Sequence, residues 1–226
     1  MSHLRLVGPN IWVIDRPHAM MGIELGTRTT LVQRDDLSLI MISPGPFTDE
    51  IWREIHSLGE VSALIAPNIH HHLFMKDAAE RAPNAAIYLA KGLSEKEKNL
   101  PTGSDIEGGR LAFLAPDLHA ITLQGTATHE TVFWQARSKT LITTDLVFNL
   151  QEGGLWTRAV MKLNDGYGKF GPTKKFLSTI HDKKAFRTTL DQVLSWDFDQ
   201  IIMAHGDIIA SNGKKLLTRA FEEADF

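Results

Sequence analysis

Cysteine is absent from the 226 residues, which excludes a disulfide framework, a thiolate zinc site, an iron–sulfur cluster and a cysteine nucleophile. A basic excess is also missing: 24 Lys and Arg stand against 27 Asp and Glu, a formal charge of −3. A polyanion-binding surface therefore has no compositional support, and nucleic acid is not an expected partner. Apolar runs are short. Stretches such as Leu39-Ile40-Met41-Ile42 fall far below the length of a bilayer span. Gly8-Pro9 interrupts the N-terminal segment before a signal-peptide core could develop. No G-x-S-x-G elbow supports a serine hydrolase of that type. The expectation is a soluble, cytoplasmic protein without a membrane partner, acting on a small-molecule substrate.

Low-complexity tracts, internal repeats and Pro/Ser-rich linkers are lacking too, so residues 1–226 read as a single domain. Hydrophobic residues make up 43% of the chain, ordinary for a globular protein. The first third reads as strands: 4–7 and 11–14 flank a Gly8-Pro9-Asn10 turn, and 29–33 and 39–42 follow. Thr48-Asp49-Glu50 caps a helix with apolar positions Ile51, Trp52, Ile55 and Leu58, ended by Gly59. Residues 61–66 form a buried-type strand, 73–81 a helix and 86–90 another strand. Strands recur at 121–123, 131–134 and 141–144. The pattern is helical from Trp156 to Leu194, interrupted at Gly166 to Gly171. A buried strand at 199–204 and an amphipathic helix at 214–224 close the chain. This order predicts two mixed, mostly antiparallel sheets face to face between outer helices.

What the sequence does have is ten histidines, several at strand ends, where α/β folds present ligand groups. His70-His71-His72 follows the strand 61–66. In an extended segment positions i and i+2 share a face, so His70 and His72 are expected to converge and His71 to point away. Converging neutral imidazoles suit a metal ion. His129 precedes the strand 131–134, Asp145 follows 141–144, and His205 follows 199–204. A carboxylate among apolar residues requires a cation or donors to offset its desolvation. The string Gly166-Tyr167-Gly168-Lys169-Phe170-Gly171 matches G-x-G-x-x-G, but it lacks the preceding strand of a dinucleotide site and reads as a turn.

Taken in order, these elements resemble the metallo-β-lactamase superfamily over nearly the whole chain. Laid on its H-x-H-x-D-H motif, Asn68 takes the first His position, His70 the second, His72 the Asp position and Leu73 the last His position. The later ligand positions fall on His129, Asp145 and His205, and Ser43 stands at an Asp position. More specifically, Ile42-Ser43-Pro44, Ala66-Pro67-Asn68, Thr144-Asp145-Leu146 and Ala204-His205-Gly206-Asp207 are similar to strings of an uncharacterised branch.

The resemblance implies an α+β, four-layer αββα sandwich with metal ligands at one edge. It implies metal ligation by His70, His72, His129, Asp145 and His205, with Asp145 and His205 also catalytic. One or two zinc ions are expected, with iron as the alternative. The implied activity is hydrolysis of a small ester, thioester, lactone or phosphoester by a metal-activated water. A non-haem iron oxidoreductase and a non-catalytic ligand- or partner-binding member are the other two readings.

Overall fold

The computed structural model describes residues 2–106 and 118–226. The chain opens with β1 (Arg5–Gly8) and β2 (Ile11–Arg16), then forms a small hairpin of β3 (Ala19–Met20) and β4 (Ile23–Glu24). It continues through β5 (Thr27–Gln33), β6 (Leu39–Ile42), α1 (Asp49–Leu58), β7 (Val61–Ala66), α2 (Met75–Arg81), β8 (Ala86–Leu89), α3 (Leu93–Lys96) and β9 (Ser104–Asp105). The second half holds β10 (His119–Thr122), β11 (Thr131–Gln135), β12 (Thr140–Ile142), α4 (Leu155–Leu163), α5 (Lys174–Leu177), α6 (Lys183–Ser195), β13 (Gln200–Ile202) and α7 (Gly213–Glu222).

The larger sheet has the order β1-β2-β5-β6-β7-β8-β9, and the second has the order β10-β11-β12-β13. Pairing from β1 to β6 is antiparallel, whereas β6-β7, β7-β8 and β8-β9 are parallel. Half of the larger sheet is therefore parallel, more than the hairpin-like spacing of the first strands predicted. The reason is local: α1 and α2 serve as the crossovers that parallel neighbours require. In the second sheet the β12-β13 pair is parallel and the other pairs are antiparallel.

Alternation along each strand builds the layers. Ile11, Val13, Val32, Ile40, Ile42 and Ile65 turn inward and meet Phe133, Ile142 and Ile202 of the second sheet. Their neighbours Ile14, Leu31, Met41 and Leu64 turn outward onto Ile51, Trp52 and Ile55 of α1. On the far side, Val132, Leu141 and Ile201 pack against Phe186 and Leu190 of α6 and Leu217 and Phe221 of α7. Both faces of both sheets are covered, which explains why Leu39-Ile40-Met41-Ile42 is apolar throughout and not alternating. The result is helix, sheet, sheet, helix.

Caps fix the helix that supports the first sheet. Thr48 Oγ1 accepts from the Ile51 amide at 3.4 Å, and Asp49 and Glu50 occupy the first turn of α1, where the helix dipole favours acids. Gly59 ends the helix where a Cβ would lie 2.0 Å from the Leu37 carbonyl oxygen, so only glycine allows this approach. The Gly166–Gly171 string follows α4 and not a strand, and it carries only the isolated bridges Leu150–Tyr167 and Phe148–Gly171. Among the described residues no helix is long and apolar enough to cross a membrane.

Candidate metal centre

Loops at one end of the two sheets bring His71, Asp145 and His205 together. One ligand atom from each lies within 4.8 Å of the other two. Nε2 of His71 and Nε2 of His205 are each 3.5 Å from Asp145 Oδ1. All three are well enclosed: the side chains are 8%, 15% and 7% exposed for His71, Asp145 and His205. The two imidazole rings stand 5.4 Å apart, and His205 stacks on Phe148 at 4.7 Å.

The far nitrogen of each ring is held. His205 Nδ1 lies 2.9 Å from the Gly26 carbonyl oxygen, and His71 Nδ1 lies 2.7 Å from Ser43 Oγ. A carbonyl oxygen only accepts, so His205 Nδ1 donates to it and Nε2 is directed at Asp145. Ser43 adopts φ +56°, a left-handed conformation uncommon outside glycine. That conformation follows directly on β6, where the hydroxyl reaches His71.

Behind the triad stands a buried polar frame. Asn68, with no exposed surface, accepts at Oδ1 from the amides of His70 (2.8 Å) and His71 (2.9 Å). Its Nδ2 donates to Asp145 Oδ2 at 2.8 Å and to Thr144 Oγ1 at 3.0 Å. Glu130, also without exposed surface, accepts from the Thr144 amide at 2.7 Å and the Asp145 amide at 3.0 Å. Burial, and then the charge of Asp145, pushes the Glu130 carboxyl up to about 7. Burial also opposes ionisation of Asp145. There the charge and hydrogen bonds of His71 and His205 win, and the group is held well below the usual carboxylate range.

The expected ligand set is therefore only partly assembled. Asp145 and His205 meet as neighbours, but the third member is His71, and His70, His72 and His129 stay outside the group. The sequence-based geometry assumed an extended 68–72 segment, whereas these residues form a bend and turn. Asn68 Oδ1 accepting from two successive amides closes that turn, and His71 is the imidazole that enters while His70 is exposed. His129 adopts φ +49° and feels the charges of Lys91 and His181, not those of the triad. The next residue, Glu130, faces Asp145 in its place. His70 and His72 still line the same cavity as the triad. Partial burial lowers the basicity of His70, His72 and His129, which favours their neutral forms.

The cavity has a volume of about 430 Å³, within the range of small-molecule sites. Met20 and Ile23 of the β3-β4 hairpin, Phe148, and Val160 and Met161 of α4 form an apolar wall. His18 also lines it, edge-on to Phe74, and its basicity falls through burial and then through the charges of His205 and His71. Sequence reading missed Glu130 and His18 as site residues. An acid directly before an apolar strand was the available signal for Glu130. No sequence pattern pointed to His18.

No family model matches the chain, and no curated protein matches it. Solved structures do. A metallo-β-lactamase from Erythrobacter litoralis with β-mercaptoethanol in its active site aligns with a TM-score of 0.69 at 16% identity, over 98% of this chain and 95% of that one. DIM-1 metallo-β-lactamase exposed to ceftazidime gives 0.67 at 16% identity, over 98% and 96%. The metal-soaked Flv1 flavodiiron core from Synechocystis gives 0.66 at 13% identity, over 97% of this chain and 60% of that one. The chain has the metallo-β-lactamase fold.

Proposed function

We propose that the protein is a metal-dependent hydrolase of a small ester, thioester, lactone or phosphoester, with one metal held by His71, Asp145 and His205. The observation that carries this reading is the convergence of His71, Asp145 and His205: one ligand atom of each lies within 4.8 Å of the other two, and Nε2 of both rings lies 3.5 Å from the same carboxylate oxygen. Two imidazoles and a carboxylate, each fixed by an outer partner, form a donor set suited to zinc or iron.

A bound divalent cation would supply Lewis acidity at a carbonyl or phosphoryl oxygen and would make water nucleophilic near neutral pH. The chain's own residues do the rest. Ser43 and Gly26 orient the two rings, and Asn68 sets the Asp145 carboxylate. The apolar wall limits water, which strengthens electrostatic interactions inside the cavity. A second reading, a non-haem iron oxidoreductase, draws on the two-histidine, one-carboxylate set and on the flavodiiron core that shares this fold.

Elemental analysis of untagged protein, paired with hydrolysis of a panel of chromogenic esters, thioesters and phosphoesters, tests the proposal. Close to one zinc per chain and turnover lost in Asp145→Ala support hydrolysis. Iron with oxygen consumption and no hydrolysis would transfer the assignment to redox chemistry. Protein that takes up no metal after supplementation would overturn both.

A further inference from the structure

The cavity is lined by two chemically different groups of residues. Beside the apolar side chains stand two ammonium groups, Lys96 of α3 and Lys175 of α5, with the imidazoles of His70 and His72 also on the lining. The two lysines come from separate elements and reach the lining of the same cavity. Asp145 is the one carboxylate among the described residues lining the cavity, and it is already engaged by His71, His205 and Asn68.

Some other lysines are ion-paired. Lys139 meets Asp197 at 2.7 Å, and Lys174, adjacent to Lys175, meets Asp165 at 3.3 Å. Among the described residues neither Lys96 nor Lys175 has a carboxylate at ion-pairing distance. A chain of net charge −3 thus leaves two unpaired ammonium groups at the rim of its candidate site. Such groups raise the local concentration of anions and bind them through charge-assisted hydrogen bonds.

We infer that the substrate is an amphipathic organic anion: an aliphatic or aromatic body lies on the Met20, Phe148 and Met161 side, and a negatively charged group meets Lys96 and Lys175. This inference rests on the cavity being the substrate site of the proposed hydrolase, and it names the substrate class that the site selects. The cavity volume of about 430 Å³ accommodates a body of phenylalkyl size.

Calorimetric binding of 4-phenylbutyrate and of its uncharged counterpart 4-phenylbutan-1-ol to the full-length protein provides the test, since it requires no turnover. The carboxylate is expected to bind about tenfold more tightly than the alcohol, the scale of one charge-assisted contact. That preference should shrink to about twofold in the Lys96→Ala/Lys175→Ala double variant and in high salt, which screens exposed charges. Lys184→Ala, an equal change of charge on α6 away from the cavity, should retain it. Equal affinity for the two probes, or a preference that survives the double variant, would overturn the inference. Carboxylate binding as expected without hydrolysis of any ester would overturn the hydrolase reading alone. Hydrolysis of neutral esters with no preference for the carboxylate would overturn this inference alone.

Discussion

Asn68 Nδ2 donates to Asp145 Oδ2 across 2.8 Å, while Oδ1 of the same side chain holds the turn that presents His71. One buried amide therefore sets two of the three groups in the candidate metal centre. At the position where the resembled motif has a histidine, this chain has a residue that organises its neighbours.

Replacing Asn68 by Ala removes the donor to Asp145 and leaves the His70 and His71 amides without their acceptor. A buried loss of this kind costs about 2–4 kcal/mol. Asn68→Asp keeps the acceptor but adds a third carboxylate beside Asp145 and Glu130, so metal-free protein should be destabilised at least as much at neutral pH. Denaturant midpoints of the three proteins, measured with chelator, check this. A shift below about 0.5 kcal/mol for Asn68→Ala would show that the frame is dispensable.

Metal content should separate the histidines. His71→Ala, His205→Ala and Asp145→Ala are each expected to lose most bound metal, while His70→Ala, His72→Ala and His129→Ala retain it. Ser43→Ala, which removes the 2.7 Å partner of His71, should weaken metal affinity by about 10–100-fold, the usual effect of an outer partner. Elemental analysis on folded protein and competition with a chromophoric chelator read both results. Loss through His70 or His72 equal to that through His71 would return the site to the extended-strand geometry.

Chelation should lower the melting temperature at pH 8, because a ligand bound only by the native state stabilises it. Histidine ligands coordinate when neutral, and their ordinary pKa is about 6.5. The chelator effect should therefore shrink toward pH 5. Superimposable melting curves across this range would contradict metal-linked stability.

Glu130 makes a separate pH prediction for the metal-free protein. Its carboxyl rises from 4.5 to about 7 on folding. Between those values the native state keeps a proton that the unfolded chain releases, so stability falls as pH rises through this window and levels off above it. The full shift corresponds to a change on the order of 3 kcal/mol. Asp145 has the opposite sign: its contribution is present above the usual carboxylate range and is lost only as pH falls below it. Urea unfolding from pH 4.5 to 8 should show the decline, and Glu130→Gln should flatten it. An unchanged slope in that variant would assign the dependence to another group.

Gly206 follows His205 at φ +91°, and a Cβ there would lie 2.1 Å from the Asn149 carbonyl oxygen. Gly206→Ala must move either His205 or the 149–150 backbone, at a cost of about 3 kcal/mol or more. Gly92, at φ +74° with nothing within 4 Å of its virtual Cβ, provides the comparison: Gly92→Ala should cost only about 1–2 kcal/mol from conformation alone. Similar costs at the two sites would mean that the Asn149 contact yields easily.

Strands, helices and layers were legible because burial on both faces or on one writes itself into local periodicity. Apolar runs such as 39–42, the Thr48 cap and the amphipathic closing helix are properties of neighbouring residues. The positions of Asp145 and His205 were legible for a related reason: each is a polar group a few residues past a buried strand. The choice of His71 over His70 and His72 was not. It depends on Asn68 accepting two amide protons while its own amide reaches Asp145, 77 positions away. Glu130 replaced His129 at the centre through one left-handed residue and two amides of the 144–145 turn. Local order along the chain is enough to fix which segments are buried and where polar groups emerge from them. Which emerging side chains point at one another was decided by contacts between segments distant in sequence, and local periodicity carries no record of those.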